Sequence, residues 1–250
     1  MKTKPIILTV VTTAVIAASS LSASAAIATF DFYKLKSGGQ AGDFIPDGVL
    51  GTDYFNVSGD FVSSAFPGSV GGDLNYTNNG ISLTATAEFS DGITVVDASV
   101  VQDHENAWNT ATRKGAGLGV YKPARILDTS DDNITRGESL IITFDREVDL
   151  KNIGLRAEGH DDSWDFEPAS FKLNGVVMLL PEGIGSIDVA MTGTEFIFEF
   201  GGDDRVDPDQ FYLASLTACE SDRVPEGGAA LALFSLGLIG LGAFRKRLTK

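Results

Sequence analysis

Two short segments concentrate the side chains best suited to chemistry. Gly159-His160-Asp161-Asp162-Ser163-Trp164-Asp165 and Gly201-Gly202-Asp203-Asp204-Arg205-Val206-Asp207 share the form G-x-D-D-x-x-D. Asp161, Asp162, Asp165, Asp203, Asp204 and Asp207 supply six carboxylates, and oxygen-only ligand sets of this kind suit Ca²⁺. Neither segment has the EF-hand loop or the nonapeptide calcium repeat. Asp and Gly also populate tight turns for backbone reasons, so solvated turns are the alternative to a calcium site. Trp164 lies inside the first segment, and Trp108 sits near Asn106 and Asn109. Either ring is a candidate to stack on a sugar while neighbouring acceptors bond its hydroxyls, with core packing as the alternative.

Other chemistries find less support. Asp128, Asp131, Asp132 and Asn133 form a looser acidic set. His104 and His160 are the two histidines, and neither has a Cys or second His at zinc spacing, which argues against a zinc site. There is no G-x-S-x-G and no His in a recognisable triad context. Among 34 acidic residues a carboxylate pair fit for glycoside hydrolysis arises by chance, so spacing alone is no evidence for one. The expectation is a non-catalytic protein, with a secreted glycan-active hydrolase as the alternative.

Strands must position these residues. Alternation of period two, punctuated by turn residues, marks Ile81–Glu88, Ile93–Val101, Leu118–Lys122, Ser139–Asp145, Asn152–Glu158, Ser170–Leu173, Val176–Leu180, Ser186–Met191, Glu195–Phe200 and Gln210–Thr217. Residues 103–114 offer one weak helical turn. The stretch Ser37 to Asn79, rich in Gly, Asn, Ser and Asp, reads as a loop-rich edge with Tyr54–Val57 as its best strand. Many short strands predict an all-β antiparallel sandwich or jelly roll over residues 26–220. Strand parity, counted through an Asn174-Gly175 hairpin and a turn at Thr192-Gly193, brings both acidic segments to one end of it.

The two ends of the chain carry targeting signals. Lys2 and Lys4 precede an apolar run from Pro5 to Ala18 and then small residues, with cleavage expected after Ala25. Residues 221–250 hold Val224-Pro225-Glu226-Gly227, an apolar run from Ala229 to Phe244, and the basic cluster Arg245-Lys246-Arg247. As a helix, Gly227 to Phe244 spans about 27 Å, a marginal single crossing of a bilayer. The basic cluster favours a cytoplasmic end, leaving the body on the far side as the N-terminal signal requires.

This ordered tail resembles the PEP-CTERM sorting signal, in its VPDSG-like variant, over roughly the last 27 residues. Here Glu226-Gly227 occupies the place where the commonest form has Glu-Pro. The resemblance implies an exosortase-type enzyme that removes the tail. It also implies delivery to the surface or exopolysaccharide matrix of a Gram-negative-type bacterium after transient anchoring in the inner membrane. A plain C-terminal membrane anchor is the alternative. Gly117-Leu118-Gly119-Val120, Asp132-Asn133-Ile134, Gly137-Glu138-Ser139-Leu140, Thr143-Phe144-Asp145 and Phe211-Tyr212-Leu213-Ala214-Ser215-Leu216 are similar to the β-sandwich bodies attached to many such proteins. That likeness implies a fold and no single activity.

Charge narrows the partners. The chain carries −15, but all 34 acids lie between Ala26 and Glu226 beside 13 bases, so that stretch alone carries −21. Nucleic acid and anionic lipid are poor partners for such a surface, whereas cations and neutral glycans suit it. Cys219 is the one cysteine, so no internal disulfide is available and an apolar core must supply the stability. Cys219 itself is expected to be a partly buried strand residue.

Overall fold

Alternating sequence becomes alternating burial wherever a strand has one face on the core. In Ile81–Ser90, the side chains of Ile81, Leu83, Ala85 and Ala87 are buried while those between them are partly exposed. The computed structural model describes residues 25–35, 43–48, 60–63, 71–104, 115–121, 133–157, 170–179, 185–201 and 210–221. These hold eleven strands and no helix: β1 (Ile27–Phe30), β2 (Phe61–Val62), β3 (Leu74–Asn78), β4 (Ile81–Ser90), β5 (Val95–Asp103), β6 (Gly117–Tyr121), β7 (Glu138–Ala157), β8 (Ser170–Leu173), β9 (Val176–Leu179), β10 (Ser186–Phe200) and β11 (Phe211–Glu220). Among the described residues no helix is long and apolar enough to cross a membrane, and the apolar run Ala229 to Phe244 lies outside them.

The strands form one antiparallel sheet in the order β1-β11-β6-β5-β4-β7-β10-β8-β9, with β2 added to β5 and β3 to β4. A second pairing, β11 with β7, closes the path through β6, β5 and β4 into a barrel-like ring. Strand β7 makes this closure possible because it is 20 residues long. Its first half pairs with β4 from Glu138 to Phe144, and its second half pairs with β11 from Val148 to Ala157. β10 follows β7 along both halves, with register shifts between Asp188 and Met191 and between Gly193 and Glu195. Such bulges bend a paired ribbon without ending it.

This corrects two expectations from the sequence. Ser139–Asp145 and the expected strand from Asn152 belong to one strand that runs to Ala157, with Glu158 outside the described residues, and Ser186–Met191 and Glu195–Phe200 also belong to one strand. The supposed turn at Thr192-Gly193 is an irregularity within β10, because a bulge interrupts alternation much as a turn does. β1, β2 and β3 were not anticipated; β2 and β3 lie in the stretch read as loop-rich. The expected strand Tyr54–Val57 and residues 105–114 fall outside the described residues. Ile93 sits in the β4–β5 turn and is 92% exposed, so β5 begins later than the apolar run suggests.

Local turn chemistry matches expectation where a positive φ is required. Asn174 and Gly175 have φ of 51° and 75° and join β8 to β9; Asn79 and Gly80, at 48° and 77°, join β3 to β4. Both are the signs of a type I′ turn, whose twist fits paired strands. The core is aromatic. Phe144 packs edge-on against Phe30 and Phe196, with centroids 6.0 and 5.9 Å apart. Ile142, Phe144, Phe196 and Phe198 are all buried, as their strand faces predict. Cys219 is a half-buried residue of β11.

Candidate functional site

The second half of β5 is buried on both faces. Ala98 and Val100 join the main core, and Gln102 on the same face accepts from the Tyr76 hydroxyl and donates to the Phe32 and Phe44 carbonyls. On the opposite face, Val101 packs with Val62 of the neighbouring strand β2 and Tyr121 of β6. β2 pairs Phe61 with Gln102 and Val62 with Val101, and that register sets the preceding residue, Asp60, opposite Asp103. Two carboxylates thereby face each other at the end of the β2–β5 ladder, 2% and 4% exposed. Like charges directly opposite in a ladder repel, and burial strengthens the repulsion.

His104 lies against both carboxylates. Its backbone N–H donates to Asp60 Oδ1 at 3.1 Å, its ring Nδ1 contacts the same oxygen, and Nδ1 lies 3.8 Å from Asp103 Oδ1. One ligand atom from each of Asp60, Asp103 and His104 falls within 4.8 Å of the others. Burial and the facing Asp60 hold the Asp103 carboxyl well above the ordinary carboxylate range, and His104 opposes them only in part.

The backbone around the cluster is tightly fitted. Gly115, just before β6, lies so close to the Asp103 carbonyl that a β-carbon there would stand 2.3 Å from its oxygen, so a larger residue forces the backbone apart. The Gly115 carbonyl in turn accepts from Arg156 Nη1 at 2.7 Å, and that buried guanidinium lies 4.5 Å from the centroid of the Tyr33 ring. The rim carrying the cluster is thus held by β2, β5, β6 and β7. An arrangement of two buried carboxylates and an imidazole can share a proton or share a cation.

A second polar surface lies on the outer face of β4 and β5. Gly71, Gly72, Asp73, Thr84, Thr86, Ala87, Glu88 and Asp97 line an open groove of about 430 Å³. It offers hydroxyls and carboxylates, and its lining has no aromatic ring.

The sites expected from sequence fall elsewhere. Asp161, Asp162, Asp165, Asp203, Asp204, Asp207, Trp164 and Trp108 lie outside the described residues, as do Val224, Pro225, Glu226, Gly227, Arg245, Lys246 and Arg247. The strand ends that flank the two acidic segments do meet. Phe211 pairs with Ala157, Phe200 with Phe171, and the Phe171 and Phe211 rings are 5.9 Å apart. The Asp60–Asp103–His104 cluster was missed. Asp103-His104 at a strand end was visible in the sequence, but Asp60 lies 44 residues before His104 in a stretch read as loop-rich. No protein-family model, curated protein or solved structure matches the chain.

Proposed function

We propose that this is an exported, non-catalytic surface or matrix protein with a two-layer, jelly-roll-like body, sorted through its C-terminal tail by an exosortase-type enzyme. The observation that carries the reading is the ordered tail: Val224-Pro225-Glu226-Gly227, the apolar run Ala229 to Phe244, and Arg245-Lys246-Arg247. The pairing of β1 with β11 supports it. Ile27 faces Cys219, and the Glu220 N–H donates to the Ala26 carbonyl at 2.9 Å, so both targeting segments join the body at one point. Cleavage after Ala25 leaves β1 whole, with Ala28 and Phe30 fully buried. One membrane can therefore hold the chain at either end without threading through the body.

The groove of Asp73, Thr84, Thr86, Glu88 and Asp97 supports a ligand rich in hydroxyls and without negative charge, such as a neutral glycan. Intact-mass measurement on surface material tests the sorting. The expected species begins at Ala26 and lacks Ala229 to Lys250, and deletion of those residues releases the body as a soluble secreted protein. A surface form that retains the tail refutes exosortase processing and identifies a plain anchor. A pull-down on the host's own polysaccharide, run beside a hydrolytic assay, tests the glycan reading: retention without turnover is the expected result, and turnover sinks it.

A further inference from the structure

We propose that Asp60, Asp103 and His104 form a binding site for a divalent transition-metal ion of the zinc class. The site joins the ends of β2 and β5, and each residue offers one donor atom within 4.8 Å of the others. Around a tetrahedral Zn²⁺ with bonds of about 2.1 Å, donors stand roughly 3.4 Å apart. The Asp103 Oδ1 to His104 Nδ1 separation of 3.8 Å is close to that, and the Asp60 contact needs only to open to admit the ion.

Both carboxylates are almost wholly buried and the ladder register sets them against each other, and a dication bound between them beside a neutral imidazole matches their combined charge. The donor set also selects the metal. Ca²⁺ takes six to eight oxygens, while one nitrogen and two carboxylate oxygens suit zinc and its neighbours. His104, with its side chain 16% exposed, lies on the solvent side of the cluster and leaves a path for entry. The histidine and cysteine spacing that argued against zinc in the sequence does not bear on this set, because two of its three donors are aspartates and one comes from a distant strand.

The test uses the full chain purified in mild detergent, stripped with a chelator and titrated with ZnCl₂ against MgCl₂ at matched ionic strength. Native mass spectrometry should show one Zn²⁺ per chain, and a hundredfold excess over Kd should raise Tm by about 5–10 °C. Asp103→Asn keeps the shape and removes one of the facing carboxylates, so the metal-free variant should fold with an equal or higher Tm. Its zinc affinity should fall by more than the roughly 10- to 100-fold that loss of a supporting partner costs. His104→Gln should lose affinity in the same way. The absence of zinc binding by the wild-type chain overturns the proposal, and so does wild-type affinity in Asp103→Asn, which would assign the zinc to another part of the acidic surface.

Discussion

Phe30 links the proposed maturation of the chain to its stability, since it lies five residues beyond the expected cleavage point at Ala25. Its ring is fully buried and meets Phe32, Phe44 and Phe144 with centroids 6.3, 6.1 and 6.0 Å away. Phe30→Ala removes that ring from the centre of the aromatic core. A buried Phe→Ala change costs about 3–5 kcal/mol, and each aromatic pair accounts for about 0.5–1.5 kcal/mol beyond area, so a value near the middle, about 4 kcal/mol, is expected. For a chain of this size that lowers Tm by roughly 8–16 °C. Urea unfolding followed by far-ultraviolet circular dichroism measures it. Thr29→Ala, an exposed neighbour whose hydroxyl bonds Thr217 across the β1–β11 pair, serves as the comparison and should cost less than about 1 kcal/mol. A Phe30→Ala cost below about 1 kcal/mol would mean that β1 is not part of the core, and the reason for placing cleavage before it would fail.

The remaining predictions concern other parts of the chain. Phe144→Asp and Phe198→Asp each place a carboxylate in a fully apolar setting and should abolish the cooperative β-sheet spectrum; a native melting curve in either would refute the core assignment. Asp91 accepts from the Thr94 and Ile93 N–H groups at 2.8 Å in the β4–β5 turn, and these bonds hold its carboxyl below the ordinary range. Its folded-state pKa is depressed, so its contribution is complete above about pH 4 and fades as pH falls through the folded value. The stability gap between wild type and Asp91→Ala should therefore shrink on acidification, and a gap that widens would contradict the sign. If Asp161, Asp162, Asp165, Asp203, Asp204 and Asp207 bind Ca²⁺, millimolar CaCl₂ should raise Tm beyond NaCl at matched ionic strength, and Asp162→Asn with Asp204→Asn should remove the increment. Equal stabilisation by the two salts would reduce those segments to solvated turns.

Local pattern was enough to identify the all-β character of the described residues and most of their strand faces. Leu140, Ile142 and Phe144 recur at every second position, as do Phe196 and Phe198, and burial follows that period, with Ser139, Ile141, Thr143 and Ile197 more exposed beside them. Asn174-Gly175 announced its turn because few other residue pairs accept positive φ at both positions. The proposed export signal and sorting tail, like the acidity of the body, are readings of composition and order along the chain.

What the sequence left open depends on which strands pair. Nothing local distinguishes the bulges of β10 from turns, so two long strands read as four short ones. Nothing local joins β11 to both β6 and β7, the pairing that closes the barrel-like ring. The Asp60–Asp103–His104 cluster has the same origin: its members meet because β2 pairs with β5 in a register that sets Asp60 against Asp103. Strand periodicity is a property of neighbouring residues, whereas register is settled by contacts between segments tens of residues apart, and a one-residue slip would have turned Asp60 away from its partners.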